Sequence, residues 1–173
     1  MAKKEDFVKN NIVFARAVQD KTGIAAEAIL TQAALESGWG RVAPGNMYFG
    51  VKDTDGINGN EQLLTTTEYH NTMDVKYPVI ISITPVVISG KKKFKYKIKD
   101  YFRKYPTPFE SFLNHASFFF KNKRYSKALE SKHDASLFLS LVAKAGYATD
   151  PSYNEKLQTI LKDIVWLIQN KGL

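Results

Sequence analysis

Residues 24–37 read IAAEAILTQAALES. These are good helix formers, and Ile24, Ala25, Ala28, Ile29, Leu30, Ala33, Ala34 and Leu35 put apolar side chains on nearly every side of the helix. A helix without a polar face has to be enclosed, so the rest of the chain must build a helical core around it. The run stops at Ser37-Gly38-Trp39-Gly40. Its last turn carries Glu36, although the carbonyl end of a helix is partially negative and disfavours a carboxylate. Counting back three, four and seven residues, Glu36 shares a face with Ala33, Gln32 and Ile29. Mainly apolar neighbours and the negative helix end both oppose ionisation and should raise the pKa of Glu36. A carboxyl that keeps its proton near neutral pH is a general acid. The other reading is a frayed last turn in which Glu36 simply points into water.

The flanking segments supply the required shell. Residues 4–21 place Phe7, Val8, Ile12, Phe14, Ala15 and Val18 close to helical spacing, with Lys21-Thr22-Gly23 as a stop. Residues 38–62 are rich in Gly, Asn and Asp and read as loop. The pattern then changes period. Residues 63–69 (LLTTTEY) and 79–88 (VIISITPVVI) read as strands, and Pro85 requires the second to be an edge or to carry a bulge. Residues 93–102 alternate strictly, with Phe94, Tyr96 and Ile98 on one face and Lys93, Lys95, Lys97 and Lys99 on the other. Helical spacing returns after Pro106, with Thr107 as a cap and Pro108 in the first turn. Further helices are expected over 134–144 and 151–169, the last opened by Asp150-Pro151. The expected fold is α+β and mainly α: one domain over residues 1–173, with a β insert at about 63–102.

Of the 173 residues, 44% are hydrophobic and 24% charged, which suits a soluble globular chain with a sizeable core. No apolar run approaches the roughly 20 residues that span a bilayer, so no transmembrane segment is expected. The N-terminal lysines are not followed by an uninterrupted apolar stretch, since Arg16 breaks it, and no secretory signal is visible. There is no cysteine, hence no disulfide or thiolate chemistry. The net charge of +8 suits a polyanionic partner such as nucleic acid, an acidic membrane face or a bacterial cell wall.

QAALESGWG (32–40), NMYFGVK (46–52), TTTEY (65–69), FRKYPT (102–107), RYSKAL (124–129) and AGYATDPSYNEKL (145–157) together resemble glycoside hydrolase family seventy-three. These are peptidoglycan-cleaving endo-β-N-acetylglucosaminidases, among them flagellar rod-associated cell-wall hydrolases and several autolysins. The six motifs stand in family order. The resemblance implies a lysozyme-like fold, with a helical lobe, a small antiparallel β lobe and a sugar groove between them. It implies that Glu36 is the catalytic acid acting on the β-1,4 bond between N-acetylglucosamine and N-acetylmuramic acid. It places the second carboxylate at Glu68, where an ion-paired strand glutamate is the plain alternative. Paired carboxylates are what glycoside hydrolysis needs: an acid on one side of the bond, a base or nucleophile on the other. Tyr147 matches a tyrosine the family sets beside the acid, to hold sugar or water or to stabilise positive charge. Arg41 matches a basic position. Asn46, Phe49 and Gly50 are expected in the groove floor, with Trp39 and Phe49 as rings for sugar stacking or for the core.

His70, His115 and His133 show no metal-ligand spacing, and His115 is expected to be packed. The loop KDTDGING (52–59) lacks the glutamate that completes an EF-hand, since Leu64 stands there, so neither metal nor cofactor is expected. The chain departs from the resembled family between Tyr69 and Phe102, where about thirty residues replace a short hairpin. The lysine face of that insert serves either to touch anionic wall polymer or to protect an edge strand from aggregation. The expected partner is peptidoglycan glycan, not nucleic acid, with the chain a monomer acting on the bacterial cell wall, in the periplasm or outside the cell. An N-acetylmuramidase on the same fold and a wall-binding module without activity are the alternatives.

Overall fold

The computed structural model describes residues 2–173, which form two compact units. The helical unit comprises the chain up to Phe49 together with Tyr105–Leu173; the β unit is Gly50–Lys104.

In the helical unit, α2 (Ala26–Ser37) is the central element. It packs against α1 (Ala2–Thr22), α3 (Pro108–Lys121), α5 (Ala135–Lys144) and α6 (Tyr153–Lys171). A short α4 (Ser126–Glu130), not anticipated from the pattern, precedes α5. Ala28, Leu30, Ala33 and Ala34 of α2 are fully enclosed, as a helix without a polar face requires. Its start falls two residues later than the pattern suggests. Ala25 N–H donates to the Lys132 carbonyl at 2.8 Å and Ala26 N–H to Gln19 Oε1 at 2.7 Å. The helix entrance is therefore satisfied from distant segments rather than by a local cap.

The start of α3 is local and legible. Thr107 Oγ1 accepts from Phe109 N–H and Glu110 Oε2 accepts from Thr107 N–H, a capping box with Pro108 in the first turn. At α6 the Asp150 side chain accepts from Ser152 N–H at 2.9 Å. That side-chain turn uses up residues 151–152 and moves the helix start to Tyr153.

The β unit is a three-stranded antiparallel sheet of β1 (Glu61–His70), β2 (Val79–Ile88) and β3 (Lys91–Arg103), in the order β1-β3-β2. Pro85 lies on edge strand β2, whose register also shifts between Ile80 and Ser82. Along β3, Tyr96 and Ile98 are fully buried while Lys95, Lys97 and Lys99 are exposed. Residues 51–60 are pinned to the end of β3 by Asp53 N–H on Tyr101 O and Arg103 N–H on Val51 O. The Arg103 guanidinium lies 2.8 Å from Asp55 and 3.7 Å from Asp53, so the acidic side chains of KDTDGING have a cation from their own chain.

Candidate active site

The turn that ends α2 explains how Glu36 is held. Gly38, Trp39 and Gly40 take φ of 59°, 62° and 75° in succession, a left-handed path that glycine permits and tryptophan resists. Trp39 N–H closes the helix on the Ala34 carbonyl at 2.7 Å. The Ser37 hydroxyl donates to the Ala33 carbonyl and accepts from Gly40 N–H at 2.8 Å. Trp39 is kept in its strained backbone by packing edge-on against Phe7, ring centroids 5.6 Å apart, with the Lys4 ammonium 5.0 Å from its ring. The last turn of α2 is thus well bonded rather than frayed, and Glu36 is a helical residue with a fixed direction.

Glu36 is exposed to solvent on one side, yet the protein packed behind it removes part of the water that would hydrate the anion. That desolvation raises its pKa above the usual carboxylate range, partly countered by a hydrogen bond from Tyr153. The Tyr153 hydroxyl donates to Glu36 Oε1 at 3.1 Å and accepts from Gln32 Nε2 at 3.4 Å. Gln32 Oε1 in turn meets His115 Nε2 at 3.2 Å. Glu36 therefore has a polar shell behind it that its mainly apolar helix neighbours do not suggest.

Tyr147 joins this group. It stacks on Tyr153 with centroids 5.6 Å apart and 20° between planes, and meets His115 edge-on at 5.8 Å. Burial, and then the charge of Glu36, push its phenol pKa up. Phe49 lies flat on His115 at 3.7 Å and edge-on to Phe112, so its ring is a packing element.

The remaining sequence-derived candidates sit elsewhere. Arg41 is exposed and its Nε donates to the Gly38 carbonyl at 3.0 Å, bracing the turn after Glu36. Asn46, at φ 56°, donates from Nδ2 to the carbonyls of Tyr105 and Pro106 and so ties together the two strands of chain that leave the helical unit. Gly50, at φ 58°, opens the β unit. Glu68 lies on β1 opposite Tyr96, half-buried, 3.2 Å from the Lys52 ammonium. Lys52 also contacts Asp100 at 2.9 Å. Burial alone lowers the lysine pKa, but the two carboxylates outweigh it and the net shift is upward.

Tyr153, Gln32 and His115 were not legible as site residues. Tyr153 stands six residues after Tyr147 in a segment already singled out, and Gln32 lies one turn before Glu36. What joins them is the packing of α6 and α3 on α2, which no local spacing reports. Among the described residues, no cluster of three or more His, Asp or Glu is arranged to hold a metal ion.

The same architecture occurs in the C-terminally truncated glycoside hydrolase domain of Salmonella typhimurium FlgJ, with a TM-score of 0.68 over 94% of this chain and 97% of that one, at 29% identity. The fold is thus that of the lysozyme-like class to which this glycoside hydrolase domain belongs. Residues 13–165 match the glucosaminidase family model, described as mannosyl-glycoprotein endo-β-N-acetylglucosaminidase, and the chain belongs to that family. Peptidoglycan hydrolase FlgJ of Salmonella typhimurium is 31% identical over 167 residues, which is 92% of this chain and 46% of that protein. Exo-glucosaminidase LytG of Bacillus subtilis is 33% identical over 156 residues, 86% of this chain and 47% of LytG. The chain spans about half the length of the curated relatives it matches. Among the described residues, no helix is long and apolar enough to cross a membrane.

Proposed function

We propose that this chain is the catalytic domain of a peptidoglycan hydrolase that cleaves the β-1,4 bond between N-acetylglucosamine and N-acetylmuramic acid inside glycan strands, with Glu36 as general acid. The observation that carries this reading is the Glu36 carboxyl itself. It is fixed at a well-bonded helix end, reaches solvent, and is kept protonated to higher pH by the water it has lost. Glu36 gives its proton to the glycosidic oxygen as the carbon–oxygen bond breaks with its electrons on that oxygen. Water adds to the anomeric carbon and loses its proton to a base. Glu68 is the second carboxylate of this proposal, on the strength of its place in TTTEY. Tyr147, stacked on Tyr153 beside Glu36, contacts sugar or the attacking water. Arg41, exposed beside the Glu36 turn, is the best placed of the proposed substrate-binding residues; Trp39, Asn46, Phe49 and Gly50 act chiefly by shaping that surface. The net charge of +8 favours anionic wall material as the partner. The cell wall, in the periplasm or outside the cell, is the proposed place of action, and the domain works as a monomer.

The test is digestion of purified sacculi, followed by borohydride reduction and mass spectrometry. N-acetylglucosamine at the new reducing ends of oligosaccharide-sized fragments supports the reading. N-acetylmuramic acid there makes the protein a muramidase, and release of single sugars makes it an exo-enzyme. Intact sacculi at every pH would mean a wall-binding module.

A further inference from the structure

The hydrogen bonds behind Glu36 run in one direction only. A glutamine amide nitrogen can only donate and its oxygen can only accept. Gln32 Nε2 therefore uses a lone pair of the Tyr153 oxygen, and the single phenolic proton of Tyr153 goes to Glu36 Oε1. Gln32 Oε1 needs a donor from His115, which fixes the ring as the tautomer protonated on Nε2. His115 lies fully inside the core, clamped between Phe49 and Phe119. We propose that His115, Gln32 and Tyr153 form a one-way relay that occupies Glu36 Oε1 and so leaves Oε2 as the oxygen that carries the transferable proton.

The proposal rests on the reading of Glu36 as general acid and adds three positioning residues to it. A carboxyl has two equivalent oxygens, and a proton on the wrong one points away from the bond to be cleaved. A phenol donating to Oε1 favours the form in which Oε1 is the carbonyl oxygen and Oε2 the hydroxyl. After transfer, the same donor stabilises the carboxylate, so the relay also limits how far desolvation raises the acid's pKa. The titratable groups that meet this carboxyl within the helical unit are Tyr153 from α6 and Tyr147 from the turn before it. Tyr125 lies beyond Tyr147, and His115 beyond Gln32. Both Tyr147 and Tyr153 are shifted up and His115 is shifted down, so none of the three changes charge near neutral pH.

Tyr153→Phe keeps the ring and its stack on Tyr147 but removes the donor. The alkaline limb of kcat/KM should move up by about one pH unit, the worth of one hydrogen bond to a charged group in a partly solvated site. In the same variant kcat should fall about tenfold with KM unchanged. Titration of the Glu36 side-chain carboxyl carbon by NMR reads the same upward shift without any substrate. His115→Gln, whose amide nitrogen replaces Nε2, should keep the wild-type limb, whereas His115→Met should move it partway in the direction of Tyr153→Phe. A carboxyl titration and kcat left unmoved in Tyr153→Phe would overturn the relay. Near-wild-type activity in Glu36→Gln would instead overturn the general-acid reading, and the NMR titration would still decide the relay.

Discussion

Taking the protein from pH 7 to pH 4 should remove about 3 kcal/mol of stability through His115 alone. The ring lies flat on Phe49 at 3.7 Å and edge-on to Phe119 at 5.0 Å, with only 6% of its surface exposed. Burial among these rings pushes its pKa from the ordinary 6.5 down to about 3. The unfolded chain thus takes up a proton at this position below about 6.5, and the folded chain only below about 3. Between those values the unfolded state binds more protons, so stability falls as pH falls. At pH 4 about two and a half units of that window have been crossed, each equivalent to about 1.4 kcal/mol, which gives the stated loss. The assay is urea unfolding at both pH values for the wild type and for His115→Gln, which keeps a donor for Gln32 but does not titrate. Glu36 acts in the opposite sense: its raised folded pKa adds stability at low pH that is lost as pH rises through that value. It is present in both proteins and cancels in their difference. The wild type should lose about 3 kcal/mol more than the variant between the two pH values. Equal losses would refute the reasoning.

Glu36→Gln should lower turnover by at least about 10²-fold, the lower range for general acid catalysis, while its urea midpoint holds or rises because a desolvated carboxyl at a helix carbonyl end is removed. Glu68→Gln should reduce turnover by less than Glu36→Gln in the same digestion assay. It should cost little stability, since its partner Lys52 keeps Asp100. Trp39→Ala should destabilise by about 2 kcal/mol in urea unfolding, because the ring's packing on Phe7 is lost while alanine, which keeps a Cβ, leaves the left-handed backbone as strained as before. Thr107→Ala should cost about 1 kcal/mol by removing one half of the capping box, and an unchanged midpoint would show the cap is not needed to start α3.

Wherever structure follows from neighbours along the chain, the sequence alone determined it. The largely apolar helix at 26–37, the alternation along β3 and the capping box at Thr107 each depend on residues within a few places of one another. Glu36 stood out for the same reason, as a carboxylate at the wrong end of a helix. Tertiary structure decided the rest. α2 begins at Ala26 because Lys132 and Gln19 satisfy its first N–H groups, and no local pattern reports partners that far away. Apolar helix neighbours pointed to a raised pKa for Glu36, but the size of that shift is tempered by Tyr153, 117 residues further on. His115 read correctly as a packed residue. Its link through Gln32 to the carboxyl exists only because α3 and α6 close on the same helix, and a polar group's partner is set by what packing brings within hydrogen-bond reach.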